Sequence, residues 1–123
     1  MPKKILIVDD EPNIVVPLEF LMKQNGYEVS IARNGKETFD AVAHNKPDLI
    51  LLDIMLPDIN GFEICNSLRT TYDLPDMKII ILSAKNRESD IKKGMAMGAD
   101  AYVIKPFSTQ DLVRKISEMI QTA

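Results

Sequence analysis

The sequence contains few of the residues that carry disulfide, zinc or redox chemistry. Its 123 residues include one cysteine, one histidine and no tryptophan. The single cysteine, Cys65, leaves no disulfide framework within the chain, and its helical spacing from Phe62 and Leu68 predicts a small buried apolar residue. His44 has no partner at catalytic spacing, so we expect it on the surface. No histidine or cysteine is placed to suggest zinc binding.

Long apolar segments are also missing. No run approaches the roughly 20 apolar residues of a membrane-spanning helix, and the N-terminal MPKKILIVDD lacks the apolar stretch of a signal peptide. Fifteen Lys and Arg against 18 Asp and Glu give a net charge of -3, which does not favour nonspecific binding to nucleic acid or anionic lipid. We therefore expect a cytoplasmic protein that contacts no membrane and binds no nucleic acid directly.

Five short apolar runs set the organisation of the chain, whose length fits one domain over residues 1–123. Each run is followed by helical periodicity or helix signals, which predicts five strand and helix pairs. The first, third and fourth runs are almost continuously apolar, as strands covered on both faces are, whereas YEVSIA alternates and is expected at a sheet edge. The runs span residues 4–9, 27–32, 49–53, 78–83 and 101–105.

Helix ends are marked by capping residues and glycines. Asn34 with Glu37, and Ser108 with Asp111, have capping-box spacing or a close variant, so they mark the starts of the second and fifth helices. Glycines 26 and 98 stand where helix C-caps are expected.

The first helix contains an unfavourable proline. Pro17 would crowd the carbonyl of Asn13 if the helix began immediately after Asp10. We therefore expect this helix to start late or to bend.

Polar residues end four of the predicted strands. ILIVDDE runs an apolar strand into Asp9 and Asp10, and LLDIMLPDING runs another into Asp53 before a loop with proline and glycine. Ser83 and Lys105 end the fourth and fifth runs. Parallel strands joined by right-handed crossovers form a doubly wound sheet, whose ligands bind beyond the carboxyl ends of the strands. We therefore expect these five side chains to share one site.

The chemistry of such a site points to a phosphoryl group. Three converging carboxylates repel one another unless a cation lies among them. Mg²⁺ suits an all-carboxylate site, with Mn²⁺ as the alternative ion, because both prefer oxygen ligands. Lys105 adds a positive charge and Ser83 adds a hydroxyl. Together these groups form a cradle for a phosphoryl group, and a carboxylate can accept it covalently.

This set of motifs resembles the receiver domain of two-component response regulators over the whole chain. The resemblance implies a flavodoxin-like α/β fold, a doubly wound five-stranded parallel sheet in the order 2-1-3-4-5 with helices on both faces. It also implies that Asp53 is the phosphoacceptor, assisted by Ser83 and Lys105. The motifs that carry it are Asp9-Asp10, LLDIMLPDINGFE, Ser83-Ala84 and GADAYVIKPF.

The same resemblance assigns roles to further residues. It implies that Asp9, Asp10, Asp53 and the backbone carbonyl of Met55 bind Mg²⁺. It further implies that Ser83 and Tyr102 shift on phosphorylation and that the Lys105–Pro106 bond is cis. Family members with fast dephosphorylation carry amide or acid groups at the positions of Met55 and Lys85, so we expect slow dephosphorylation here.

Some of these residues keep simpler interpretations. Asp10 or Glu11 could act only by favouring the positive N-terminus of the first helix, and for Glu11 this is the preferred interpretation. Tyr102 could serve packing alone. Asp58 is expected to be a solvated acid in its loop.

The predicted function is a signalling switch. A sensor histidine kinase or phosphotransfer protein would phosphorylate Asp53, and the chain would catalyse only its own phosphorylation and dephosphorylation. Its output surface is expected to be the fourth helix, fifth strand and fifth helix, because Ser83 and Tyr102 link the acceptor to that side. This surface would control a downstream protein or output domain, which the sequence does not identify.

The oligomeric state is predicted from the same surface. Ala101 stands where the DNA-binding winged-helix branch of the family often has a second acid for salt bridges between domains, although Asp100 and Lys115 remain. We therefore expect a monomer or weak dimer whose association increases on phosphorylation.

Two other function classes compete with the switch. A Mg²⁺-dependent aspartyl-phosphate phosphohydrolase generally carries D-x-D on one strand and an enclosing cap, whereas Asp9 and Asp10 are adjacent and 123 residues leave no cap. A phosphate-free interaction module would not need the full acid, hydroxyl and lysine set. A nucleotide binder lacks a motif, since neither G-x-x-x-x-G-K-[ST] nor G-x-G-x-x-G is present.

Overall fold

Strands and helices alternate along the chain in this structure, a computed structural model that describes residues 2–121. The strands are β1 (Lys4–Val8), β2 (Glu28–Ala32), β3 (Leu49–Asp53), β4 (Lys78–Ser83) and β5 (Ala101–Ile104). The helices are α1 (Pro12–Gln24), α2 (Gly35–His44), α3 (Gly61–Thr70), α4 (Glu88–Ala96) and α5 (Thr109–Gln121). Strands β3 and β4 have the predicted bounds, and the other three are one residue shorter than predicted.

The five strands form one parallel sheet in the order β2-β1-β3-β4-β5. This confirms the predicted doubly wound sheet, with the alternating strand β2 at an edge. The winding reverses between β1 and β3, which pair with Val8 opposite Leu52. Residues at the carboxyl ends of β1 and β3 therefore lie side by side at the position where doubly wound sheets bind ligands.

Both faces of the sheet are covered. Helices α1 and α5 pack on one face through residues such as Leu18 and Ile116, and α2, α3 and α4 cover the other through residues such as Val42 and Leu68. Strands β1, β3 and β4 contribute buried side chains to both faces, which explains their continuous apolar sequences. The predicted buried Cys65 is confirmed, and its burial raises the pKa of the thiol to about 11.

Helix α1 begins at Pro12 and includes Pro17, so the expected late start is wrong. The Val15 N–H donates to the Glu11 carbonyl at 3.0 Å, which closes the first turn before Pro17 is reached. Pro17 removes one helical donor, the partner of the Asn13 carbonyl. Both residues are exposed, and water can bind the freed carbonyl there.

The predicted helix ends are confirmed. The Glu37 N–H donates to Asn34 Oδ1 at 2.8 Å, and the Glu37 carboxylate accepts from the Arg33 N–H at 3.0 Å, a variant of the capping box. Gly26 and Gly98 have positive φ angles of 87° and 108°, which glycine adopts without strain. Across residues 2–121, no helix combines the length and apolar character that crossing a membrane requires.

Candidate functional site

Asp9 and Asp53 lie side by side at the carboxyl ends of β1 and β3. Asp9 directly follows β1, and its N–H continues the sheet by donating to the Ala32 carbonyl at 3.0 Å. Asp53 is the last residue of β3, whose five residues are all buried. Asp9 is 2% exposed and Asp53 is 4% exposed, so two acids share an environment largely removed from water.

Lys105 contacts both of these acids. Its N–H donates to the Ser83 carbonyl at 2.8 Å, which aligns the residue with the end of β4. Its Nζ donates to Asp9 Oδ2 at 3.1 Å and lies 3.8 Å from Asp53 Oδ2. The Lys105–Pro106 bond is cis, as the resemblance implies. The structure therefore brings together the two acids, the Ser83 residue and the Lys105 ammonium group, which the sequence predicted at the ends of separate strands.

Two further carboxylates lie close to Asp9 and Asp53. Asp9, Asp10, Glu11 and Asp53 each offer an oxygen, and these oxygens all lie within 4.8 Å of one another. Asp10 and Glu11 are exposed, so the group runs from the interior to the surface. Such an all-oxygen set fits Mg²⁺ or Mn²⁺, which prefer carboxylate and water ligands.

Glu11 is the member of this group that the sequence interpretation missed. It does stand at the N-cap position of α1, as its preferred interpretation implied, but its carboxylate also joins the acids. Its position directly after Asp9 and Asp10 in the sequence was the signal that could have placed it in this group.

The pKa of Asp53 is raised from its ordinary value of 3.8. Burial is the main cause, and the negative charge of Asp9 adds to it. Lys105 and the backbone N–H groups of Met55 and Ile54 oppose the rise, with the Met55 N–H 3.3 Å from Asp53 Oδ1. The net rise means that burial outweighs the stabilisation of the charged carboxylate by Lys105, and a further cation beside Asp53 would lower its pKa.

A chain of hydrogen bonds connects this site to β5. The fully buried Ser83 accepts at Oγ from the Lys85 N–H at 3.0 Å. The Lys85 carbonyl accepts from the Tyr102 hydroxyl at 2.8 Å. Burial raises the pKa of Tyr102, while the nearby Ser83 hydroxyl lowers it. Tyr102 is thus tied to the loop after β4 rather than packed by its ring alone.

An open cavity of about 430 Å³ leads to Asp53. Ser83 and Lys105 line its interior. Met55, which is 64% exposed, and the exposed Lys85 also line it. The cavity therefore offers a phosphodonor or a water molecule a route to Asp53, and Met55 and Lys85 form part of its lining.

Asp58 is exposed, as expected of a solvated loop acid, and it is also a hydrogen-bonded anchor. Its carboxylate accepts from the N–H groups of Gly35 at 2.8 Å, Lys36 at 3.1 Å and Ile59 at 2.9 Å. The Gly35 hydrogen bond is the main reason why the pKa of Asp58 is lowered. Asp58 therefore ties the loop after Asp53 to the N-terminus of α2.

Asp100 is engaged within the domain. Its Oδ2 accepts from Arg69 at 2.8 Å and from the Ile79 N–H at 2.8 Å. Arg69 also donates to the carbonyls of Gly98 at 2.9 Å, Leu74 at 2.6 Å and Met77 at 2.5 Å. We call these five residues, Arg69, Leu74, Met77, Gly98 and Asp100, the Arg69 cluster. Asp100, which the sequence left available for salt bridges between domains, is therefore already paired within its own domain.

The sequence model of the response regulator receiver domain matches residues 5–117 of the chain. The chain belongs to this family. The match contains all four strand ends that form the site, and the observed strand order is the one that the family resemblance implied.

Solved receiver domains have the same fold. The CheY-like response regulator receiver domain protein from Methanospirillum hungatei JF-1 is 33% identical with a TM-score of 0.92, and the alignment covers 99% of this receiver domain and 96% of that chain. The BeF3-activated receiver domain of DrrB is 30% identical with a TM-score of 0.90, covering 98% and 99%. The BeF3-activated N-terminal receiver domain of Klebsiella pneumoniae RstA is 26% identical with a TM-score of 0.89, covering 97% and 99%.

Proposed function

We propose that this receiver domain is a cytoplasmic switch that accepts a phosphoryl group on Asp53 from a sensor histidine kinase or phosphotransfer protein. The observation that carries the proposal is the contact of Lys105 Nζ with two buried carboxylates beside an open cavity. The ammonium group stands where negative charge develops during phosphoryl transfer, and such preorganised charge favours that step.

The proposed reaction is a transfer between two side chains. An Asp53 carboxylate oxygen bonds to the phosphorus of the donor's phosphohistidine, and the phosphorus–nitrogen bond breaks. The electron pair stays on the imidazole of the donor, which then takes up a proton. The Ser83 hydroxyl and the Lys105 ammonium can each donate a hydrogen bond to an oxygen of the transferred group.

We assign the metal ligands to Asp9, Asp10, Asp53 and the Met55 carbonyl, with Mg²⁺ as the ion and Mn²⁺ as the alternative. When bound, the ion would neutralise charge on the carboxylates and on the phosphoryl group. The raised pKa of Asp53 supports a bound cation, because Lys105 and the backbone N–H groups do not fully offset the burial of its carboxylate.

Intact-mass analysis after incubation with acetyl phosphate and Mg²⁺ tests the acceptor. We expect one added phosphoryl group, which Asp53→Asn abolishes and chelation of Mg²⁺ strongly reduces. Modification that persists in Asp53→Asn would move the acceptor to another residue. Catalytic release of phosphate from excess phosphoester, without accumulation of modified protein, would instead support a phosphohydrolase.

We further propose that phosphorylation changes the surface formed by α4, β5 and α5. The hydrogen bonds from Ser83 through the Lys85 backbone to Tyr102 support this direction. Amide exchange with and without beryllofluoride tests it, and no change between Arg87 and Gln121 would exclude the surface. Sedimentation of the same samples tests the expected shift from monomer or weak dimer towards association with another copy.

A further inference from the structure

Helix α4 contains a glycine in an unfavourable place. Gly94 is the seventh of the nine residues of α4 and is buried. Glycine inside a helix lowers its stability relative to alanine, because it loses more backbone freedom on folding. Helix formation alone would therefore favour alanine at this position.

The space beside Gly94 is already filled by two side chains. A Cβ atom at position 94 would lie 2.8 Å from Ile81 Cδ1 and 3.0 Å from Tyr102 Cδ2. Ile81 is fully buried in β4, where close packing limits how far its side chain can move. Tyr102 is only half-buried, so its ring is the neighbour that can move towards solvent.

We infer that Gly94 is a positioning residue that keeps open the seat of Tyr102 against α4. In this seat the ring contacts Gly94 and the hydroxyl donates to the Lys85 carbonyl, two residues after Ser83. The role of Gly94 in signalling rests on the proposed function, because the position of Tyr102 carries a signal only if it responds to phosphorylation. The seat itself rests only on the contacts of Tyr102 with Gly94 and with the Lys85 carbonyl.

Gly94→Ala should displace the Tyr102 ring and break its hydrogen bond to the Lys85 carbonyl. Overpacking of this kind should lower the ratio of seated to displaced ring by about tenfold. None of the side chains around Asp53 contacts position 94, so phosphorylation by acetyl phosphate should stay within about twofold of wild type, as expected for a substitution remote from the reacting groups. The exchange response of α4 to beryllofluoride should be lost.

Ring-carbon NMR of ¹³C-labelled tyrosine measures the seat directly. The chain has three tyrosines, and Tyr102→Phe assigns the relevant signals. We expect Gly94→Ala to move the Tyr102 signals in the unmodified protein, and Met95→Ala, an exposed substitution on the same helix, to leave them unchanged. Unchanged Tyr102 signals in folded Gly94→Ala would overturn the inference.

Two double variants separate displacement of Tyr102 from a general loss of packing around α4. Ile81→Val removes the atom nearest to the new Cβ, so Gly94→Ala with Ile81→Val keeps the test available if Gly94→Ala does not fold. Its Tyr102 signals should still be displaced, and seated signals would count against the inference. Gly94→Ala with Tyr102→Ala should show the same exchange response as Tyr102→Ala alone, and a further loss would mean that Gly94 acts by another route.

The same measurements distinguish failure of the inference from failure of the proposed function. If wild type accepts no phosphoryl group, the proposed function fails, while displaced Tyr102 signals in Gly94→Ala still support the seat. If wild type is phosphorylated and Gly94→Ala responds in α4 as wild type does, the proposed function stands and the inference is wrong.

Discussion

Two ionic clusters at opposite ends of the sheet bury charge in different ways. At the amino ends of β4 and β5, the Arg69 cluster pairs one guanidinium with one carboxylate and three carbonyl oxygens. At the carboxyl ends of β1 and β3, four carboxylates lie close together, and Lys105 Nζ contacts two of them, Asp9 and Asp53. The first cluster balances its charges, and the second has an excess of negative charge.

Hydrogen bonding does not account for this difference. Within residues 2–120, every buried side-chain nitrogen or oxygen has a hydrogen-bond partner. What differs is the balance of charge, because the second cluster has four carboxylates and one ammonium, and burial raises the pKa of Asp53 there. A cluster that only holds the fold together can satisfy its groups internally, whereas a site for a cation and a phosphoryl group keeps charge uncompensated.

The largest effect is expected from breaking the balanced cluster. Arg69→Ala would leave Asp100 and three carbonyls without their cationic donor, and the Arg69 side chain is only 16% exposed. We expect the free energy of unfolding to fall by about 2–3 kcal/mol, because partly buried groups lose a charged partner. Urea unfolding measures this.

Phosphorylation by acetyl phosphate should persist in folded Arg69→Ala, because the cluster lies at the other end of the sheet. Arg69→Lys is the matched control. It should recover only part of the stability, since an ammonium cannot reproduce the guanidinium fork. An Arg69→Ala variant as stable as wild type would mean that the balanced cluster contributes nothing to the fold.

The contrast between the two clusters also explains what sequence could predict. Asp9, Asp53, Ser83 and Lys105 were predicted to converge because parallel strands align their ends whatever the loops do. Strand periodicity and chain order were therefore sufficient for a doubly wound sheet and for the convergence of these side chains, whereas the family resemblance implied the strand order.

The contacts that the sequence did not predict depend on the conformations of the loops. Arg69 reaches Gly98 across 29 residues, and Asp58 reaches Gly35 across 23. No local pattern encodes such contacts, which is why the sequence predicted an exposed Asp58 but not its hydrogen bonds to α2. The contact of Tyr102 with position 94 was missed for a related reason, because the sequence of a helix does not show which residues of other elements lie against its glycine. The late start of α1 was wrong because an exposed carbonyl tolerates the loss of one donor.

The second prediction concerns water at the unbalanced cluster. Met55 and Lys85 line the cavity and neither orients water as an amide or carboxylate does. Met55→Asn with Lys85→Glu should therefore speed decay of the acyl phosphate by about tenfold, a modest share of what a positioned polar group contributes. Release of phosphate from phosphorylated protein measures the rate. If the acyl phosphate of the double variant decays no faster than that of wild type, the lack of a water-positioning group is not the reason for the expected slow dephosphorylation.

The third prediction tests the excess charge itself. Asp53→Asn removes a buried acid, so without Mg²⁺ at neutral pH it should raise the free energy of unfolding by about 1 kcal/mol, the usual scale of a single substitution. A carboxyl with a raised folded pKa weakens the fold as it ionises, so the advantage of Asn should grow as pH rises from about 3.8 through the folded pKa.

Below that window the carboxyl is protonated in both states, and Asp53→Asn and wild type should converge. Saturating Mg²⁺ should also reduce or reverse the advantage, because binding to the native site stabilises wild type. Chemical unfolding across pH, with and without Mg²⁺, measures both trends. Equal stability of the two proteins at every pH would show that the acids are already compensated.

The smallest effect is expected at Asp58, which lies at the same end of the sheet but behaves like the balanced cluster. Its acceptance of three backbone N–H groups lowers its pKa, so its contribution to stability is present above its ordinary value of 3.8 and is lost as pH falls through the lower folded pKa. Asp58→Ala should lower the urea midpoint slightly at neutral pH and not at strongly acidic pH. Asp58→Asn keeps one acceptor oxygen, so its urea midpoint should lie between those of wild type and Asp58→Ala. A midpoint unchanged at neutral pH would mean that the loop after Asp53 holds its position without this anchor, and that hydrogen bonds at an exposed acid do not reinforce the charged site beside it.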